Sequence, residues 1–506
     1  MRLSLPNMPL TLSFIFLLGT TQVLLSQELF TPLERKHFEE LSTYAEWTAF
    51  VKQLDDMSNL LTVESIGQTV EGRDILALQF SKSTFGQDKS KTRVLICAQQ
   101  HGNEQSGKEG ALLLAASLLK PENSYLFDRL DLALIPQVNA DGSEQNKRRN
   151  ANGTDLNRNH LILEEPEVIA LHHFFDRYLF EVTMDVHEYA PYSSEKWKKY
   201  GYRTNSDELI GVNTNCNVSQ EIRDFSNHVF VPFYRDFLTK HHFSNSTYAP
   251  GGPPETDYIR HSTYDINDGR QSFGIQNTFS LIQEGLNGED NFKMRIQHRA
   301  RGQMTGMRAL LDFTFQKAKT IKKMVEKQRK KLISQKPGTP YAIQMEHTRT
   351  GAEHPLPVYS YATGKDSVIM VKDYRPLVKS ISEVSRPLGY LIPKNLPELV
   401  NWSQRQAFVS GPVPSLKKIK IEQYLVTTID SIDFERDTIM HPKVRIEETE
   451  MLNPEDFLYF PVNQLKGNIL ITALEPASEL GLVTYPTYAH LVKAGEKFPV
   501  LRVVKK

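Results

Sequence analysis

His101-Gly-Asn-Glu104 sets an imidazole and a carboxylate three residues apart, after the apolar run VLICA and before the helix-forming ALLLAASLL. Where a strand hands over to a helix, one turn of backbone aims both side chains at one point. Two histidines and a glutamate are a donor set of catalytic zinc, which keeps a further position open for water. The third donor must come from elsewhere, and His187, closing EVTMDVH, stands at the end of a strand-like run. His160, the pair His172-His173 and the pair His241-His242 compete for that place, although both pairs sit in helix-like contexts and are expected on helix surfaces. Cys97 and Cys216 are too few for a thiolate site; Cys97, inside an apolar run, reads as a buried core thiol.

A second polar cluster follows. Asn139-Ala-Asp-Gly142 precedes Lys147-Arg148-Arg149-Asn150, and then Gly153-Thr-Asp155-Leu-Asn157-Arg158-Asn159. A cation beside an amide side chain suits a terminal carboxylate, through charge-assisted hydrogen bonds. A further arginine near a metal could polarise a carbonyl and stabilise a developing oxyanion. The alternative for Arg148-Arg149 is a solvated basic loop.

The elements that must carry these residues alternate. Residues 33–60 read as helical, 61–66 and 74–80 as strands joined by a turn with two glycines, and 93–98 and 132–138 as strands buried on both faces. A helix over 166–179 and strands over 181–186 and 279–283 follow. The pattern predicts an α/β fold with a mixed, mostly parallel sheet and helices on both faces. His101, Asn139, His187 and Glu284 all fall just beyond strand ends, where such sheets gather ligands. From residue 300 the chain is helical, with a Lys/Arg-rich face over 317–331 that reads as solvated. Past the linker Lys336-Pro-Gly-Thr-Pro340, strand-like segments at 367–371, 419–428 and 468–473, broken by prolines, predict a β-rich unit.

With 60 basic and 60 acidic residues among 506, bulk charge supplies no attraction to nucleic acid or an anionic membrane. Arg2 followed by LTLSFIFLL and small residues fits a secretory signal over residues 1–26, too short to span a bilayer comfortably.

Assembled in order, IGQTVEGRDILALQF, HGNE, NADG, DLNRN, His187 and LIQEGLNG resemble the zinc carboxypeptidase family of the carboxypeptidase A type, over roughly residues 40–315. The resemblance implies one zinc ion on His101, Glu104 and His187, with Glu284 as general base towards the attacking water. It implies Arg148 as the carbonyl-polarising arginine, with Arg149 the fallback. Asn157 and Arg158 would clamp the substrate's terminal carboxylate, and Asp155 would orient the first zinc histidine. The family's mobile tyrosine does not align cleanly; Tyr258 is the first candidate, with Tyr264 and Tyr248 behind it. RPLGYLIP, PVNQ and ALEPASELGLV resemble a β-rich domain appended to some exported bacterial members, and its expected role is structural, roofing one side of the cleft.

The expected organisation is a signal peptide over 1–26, a catalytic domain over 27–335 and a β-rich domain over 336–506. The expected protein is a secreted or periplasmic metalloprotease, a hydrolase that removes C-terminal residues from peptides bearing a free carboxylate. No nucleic acid and no stable membrane insertion are expected. The rival readings are a zinc amide hydrolase acting on cell-wall peptides or acyl-amino acids, and a non-catalytic binding protein on the same fold.

Overall fold

A computed structural model describes residues 29–289, 293–415, 417–434, 437–450 and 453–506; the expected signal segment lies outside them. The helical expectation over 33–60 resolves into a short helix, Pro32–Arg35, and α1, Tyr44–Met57, which Thr43 starts by accepting from Glu46 N while the Glu46 carboxylate reaches back.

Eight strands form the main sheet: β1 (Leu61–Gln68), β2 (Asp74–Phe80), β3 (Thr92–Ala98), β4 (Leu130–Ile135), β5 (Val182–Tyr189), β6 (Glu208–Val212), β7 (Asn245–Thr247) and β8 (Phe279–Leu286). Their order is β1-β2-β4-β3-β5-β8-β6-β7. The centre is parallel, β4-β3-β5-β8, and antiparallel pairs flank it. The central strands are apolar at almost every position because both faces are covered. Val94 and Ile96 of β3 join a cluster with α1, α2 (Gln105–Leu118) and the long helix α5 (Ile296–Ile333), through Trp47, Leu112, Leu114 and Leu310. Leu95 and Cys97 point the other way, against Leu171, Phe174 and Phe175 of α3 (Pro166–Tyr178). The alternation of side chains along a strand thus sorts one apolar run into two cores. Both cysteines are free thiols.

After residue 339 the chain is β-rich. Pro340–Thr348 pairs with Leu377–Ser385, His354–Ser360 lies between Lys365–Val371 and Tyr202–Thr204, and five strands form a further sheet with Lys497–Lys505 at its centre. One segment departs from expectation: residues 468–473 lie in a helix, Gly467–Leu474. Ile469, Leu470, Ile471, Ala473 and Leu474 are all buried, so the run carries no helical period, and a short apolar run alone does not separate strand from helix. This helix belongs to the same apolar cluster as Trp47 and Leu112, so one interior is continuous from the main sheet into the C-terminal region. No described helix is long and apolar enough to cross a membrane.

Candidate metal centre and substrate cleft

β3 ends at Ala98, and Gln99 takes a left-handed turn (φ 57°) that swings His101 over the strand ends. Gly102 makes this turn possible: a Cβ there would lie 2.2 Å from the Gly142 carbonyl carbon and 2.4 Å from Ser143 N. Asn139 secures the same place, its amide donating to the Gln100 carbonyl (3.1 Å) and the Arg148 carbonyl (3.2 Å) while its oxygen caps Gly142 N (2.8 Å). Asp141 in turn accepts from Thr69 (2.7 Å), Glu71 N (2.9 Å) and Arg73 (2.6 Å), which ties the turn between β1 and β2 to the site. The motifs at 66–73 and 139–142 are therefore scaffolding for the histidine turn.

Glu104 lies at the start of α2. His101 Nδ1 is 2.8 Å from Glu104 Oε1, His187 Nδ1 is 2.9 Å from Glu104 Oε2, and the two Nδ1 atoms are 3.1 Å apart. All three residues are buried, and among the described residues they form the one group of His, Cys, Asp or Glu side chains gathered closely enough to hold a cation. The opposite ring nitrogens are both directed at carboxylates, His101 Nε2 at Asp155 Oδ1 (3.0 Å) and His187 Nε2 at Asp185 Oδ2 (2.9 Å). That arrangement fixes ring orientation and leaves the Nδ1 atoms converging with the Glu104 carboxylate, as a two-histidine, one-carboxylate zinc site requires. Burial alone would raise the Glu104 carboxyl, but the His101 and His187 imidazoles hold it well below the usual range. Burial would lower His187, yet Asp185 and Glu104 on either side raise it well above its ordinary value. Burial also opposes ionisation of Asp155, which His101 and then Arg148 hold far down.

Asp185 is the residue that sequence reasoning missed. The signal was present: Asp185-Val-His187 on a strand puts both side chains on one face, within reach of each other.

Glu284 stands on β8 in register with His187 on the neighbouring parallel strand. Burial pushes its carboxyl up to about 7, with His187 opposing the shift. Arg148 is brought to the cluster: its Nε lies 3.0 Å from Asp155 Oδ2 and its Nη1 3.1 Å from His101 Nδ1. Arg149 is not; it donates to the Gly153 carbonyl at 3.0 Å. Asn157 is buried, accepting from Gly269 N (2.7 Å) with its amide nitrogen 3.2 Å from His187 Nε2. Arg158 donates to the Asn157 carbonyl (2.8 Å), and Asp155, Asp265 and Asp268 offset the effect of burial and keep it charged.

The tyrosines separate clearly. Tyr258 stacks on Arg375 at 3.9 Å, a residue of the C-terminal region. Tyr264 donates to the Met345 carbonyl at 2.8 Å. Tyr248 lies with the site: burial and then the Glu284 carboxylate raise its phenol, Arg270 and Arg158 oppose them, and the Arg270 guanidinium sits 5.7 Å from its ring centre. The competing histidines also sort out. His160 and His172 are buried, against the surface expected for the 172–173 pair, because α3 turns His172 inward while His173 stays exposed.

The space beside Tyr248 has walls from two regions. A cavity of about 450 Å³ is lined by Tyr189, Leu209 and Tyr248 on the sheet side and by Leu356 and Pro357 from the C-terminal region. On the Arg158 side, Trp402 Nε1 (2.9 Å) and Gln406 Nε2 (2.7 Å) both donate to the Leu161 carbonyl, just after the 155–159 turn. Tyr485 approaches Asn267, with its hydroxyl influenced by burial first and then by Asn267 and Arg158.

Residues 47–252 match the family model described as zinc carboxypeptidase. Carboxypeptidase 2 of Trichophyton tonsurans is 21% identical over 478 residues, covering 90% of this chain and 85% of that protein. Carboxypeptidase D of Mus musculus is 24% identical over 266 residues, 46% of this chain and 19% of that protein. Among solved structures, a metallo-carboxypeptidase from Burkholderia cenocepacia is 18% identical, with a TM-score of 0.42, covering 54% of this chain and 70% of that one. The paired histidines and Glu104 thus lie inside the stretch, residues 47–252, that matches the zinc carboxypeptidase family.

Proposed function

We propose that the chain removes the C-terminal residue from peptides with a free carboxylate, using His101, Glu104 and His187 to hold one zinc ion. The observation that carries this reading is the convergence of three buried donor atoms beside a carboxylate, Glu284, that burial keeps near neutrality. When bound, zinc supplies a Lewis acid and a lowered pKa for water. Glu284 then takes the proton of the attacking water and passes one to the leaving amine, a task suited to a carboxyl poised near 7. Arg148, held by Asp155 at the edge of the cluster, stabilises charge developing on the scissile carbonyl oxygen. Asn157 and Arg158 receive the terminal carboxylate, and Tyr248 closes over the scissile bond. Asp155 and Asp185 keep the two imidazoles oriented. The strands and helices beyond residue 336 wall the cleft, and residues 1–26 direct export to the periplasm or medium.

The test is a panel of blocked peptides with free or amidated C-termini, with products identified by mass spectrometry and metal content measured on the same sample. Release of single residues from free C-termini, abolished by chelation and restored by zinc, is the expected result. Equal cleavage of amidated peptides, or internal cleavage, would overturn the assignment.

A further inference from the structure

His187 and Asp185 stand at one end of a chain of buried side chains whose other members, Gln100, His160 and His172, the hydrolytic reading leaves unused. Its Nε2 lies 2.9 Å from Asp185 Oδ2, and the same oxygen accepts from Gln100 Nε2 at 2.8 Å. Gln100 Oε1 is 2.7 Å from His160 Nε2, and His160 Nδ1 is 3.0 Å from His172 Nε2. All five side chains are 3% exposed or less. The chain passes from the sheet edge beneath the metal ligands to helix α3.

Only one direction of donation satisfies it. A carboxylate accepts and does not donate, so both Gln100 and His187 present N–H groups to Asp185. The reversed Gln100 amide would set oxygen against oxygen. Gln100 then offers its carbonyl oxygen to His160, whose Nε2 must carry a proton. Burial lowers His160 to about 4 and His172 well below its ordinary value, so each ring holds a single proton. His160 Nδ1 therefore accepts, His172 Nε2 donates, and His172 Nδ1 is left as a bare acceptor, without a hydrogen-bond partner among the described residues. Every N–H in the series points toward Asp185.

The surroundings hold the series in place, with Asn157 Nδ2 3.2 Å from His187 Nε2 and the Ser272 hydroxyl 3.4 Å from His172 Nε2 beside it. The first turn of α4 (Gly269–Gly274) lies flush on the chain: a Cβ at Gly269 would sit 2.9 Å from both Asp185 Oδ2 and Gln100 Nε2 and 3.2 Å from His160 Cε1. Phe273, also on α4, covers His172 at 5.0 Å between ring centres. In a row of polar groups this dry a clash of donor on donor or acceptor on acceptor is costly, so a single polarity is enforced between Asp185 and His172.

We infer that Gln100, His160 and His172 are positioning residues for the metal centre, holding Asp185 as the acceptor of His187 Nε2–H so that Nδ1 is the nitrogen given to the ion. This rests on the zinc reading above. The nearest alternative role is packing alone, and the two separate in zinc affinity. Chelator competition on the full chain compares wild type with His160→Leu, which breaks the series, and His160→Gln, whose amide still donates to Gln100. The expected result is a roughly tenfold weaker zinc affinity in His160→Leu, with His160→Gln within about twofold of wild type. Wild type that binds no zinc defeats the metal reading itself. Wild type that binds zinc while His160→Leu binds it equally well defeats only the positioning chain, as does an equal loss in both variants that tracks the melting temperature of the zinc-free protein. Should His160→Leu fail to fold, nitrogen-15 spectra of histidine-labelled wild type decide: protons on Nε2 of both His160 and His172 support the chain, and a proton on Nδ1 of either overturns it.

Discussion

Glu284 and His187 occupy partner positions on adjacent parallel strands, so carboxylate and imidazole leave the same face of the sheet one strand apart. Neither depends on a loop for its place. Strand-borne catalytic groups hold their spacing better than loop-borne ones, and this pair inherits the rigidity of the most buried part of the sheet.

Glu284→Gln keeps the shape of the site and removes the carboxyl proposed to carry the proton. We expect zinc content to stay near one ion per chain while kcat falls by about a thousandfold or more. Steady-state kinetics beside metal analysis check this; a variant with undiminished turnover would remove Glu284 from the chemistry.

In the proposed reading, Arg158→Ala removes the cation that would face the substrate's terminus. The expected effect is a rise in KM of about tenfold to a hundredfold for peptides with a free C-terminus, with any slow cleavage of amidated analogues unchanged. Should both substrate classes suffer equally, Arg158 supports structure and does not read the carboxylate.

Tyr248 and Tyr258 are told apart by the same kinetics. Tyr248→Phe loses a hydroxyl beside Glu284 and is expected to lower kcat/KM by about tenfold, the scale of one hydrogen bond to a charged group. Tyr258→Phe leaves the stack on Arg375 intact and is expected to match wild type. The reverse ranking would return the role to Tyr258.

Acid should destabilise the fold through its buried neutral histidines. His160 has a folded pKa of about 4 against an ordinary 6.5, so the unfolded chain binds the extra proton first. The stability it secures is whole above pH 6.5 and is lost as pH falls towards 4, a swing of about 3 kcal/mol for that one ring. Denaturant unfolding between pH 7 and pH 4 measures the slope, which His160→Gln should flatten. An unchanged slope would mean that His160 is protonated in the folded state at no cost.

The sequence made much of the site legible because its residues sit at ends of runs with strong character. VLICA, rich in β-branched residues and short, reads as a doubly covered strand, and a strand that ends in His-Gly-Asn-Glu has few places to send those side chains. What it concealed are relations across long separations. Nothing near Tyr248 marks it above Tyr258, because the choice depends on which loop folds beneath Arg375, more than a hundred residues away. The burial of His172 was equally hidden, since an amphipathic helix shows two adjacent histidines without showing which faces inward. Residues 468–473 failed for a simpler reason: a run apolar at nearly every position has no period to read.

The Leu161 carbonyl accepts from both Trp402 and Gln406, immediately downstream of the turn that carries Asn157 and Arg158. The C-terminal region is thereby joined to the loop that carries Asn157 and Arg158, so the two share one hydrogen-bonded seam. A substitution at Trp402 would therefore reach the 155–159 turn through the Leu161 carbonyl.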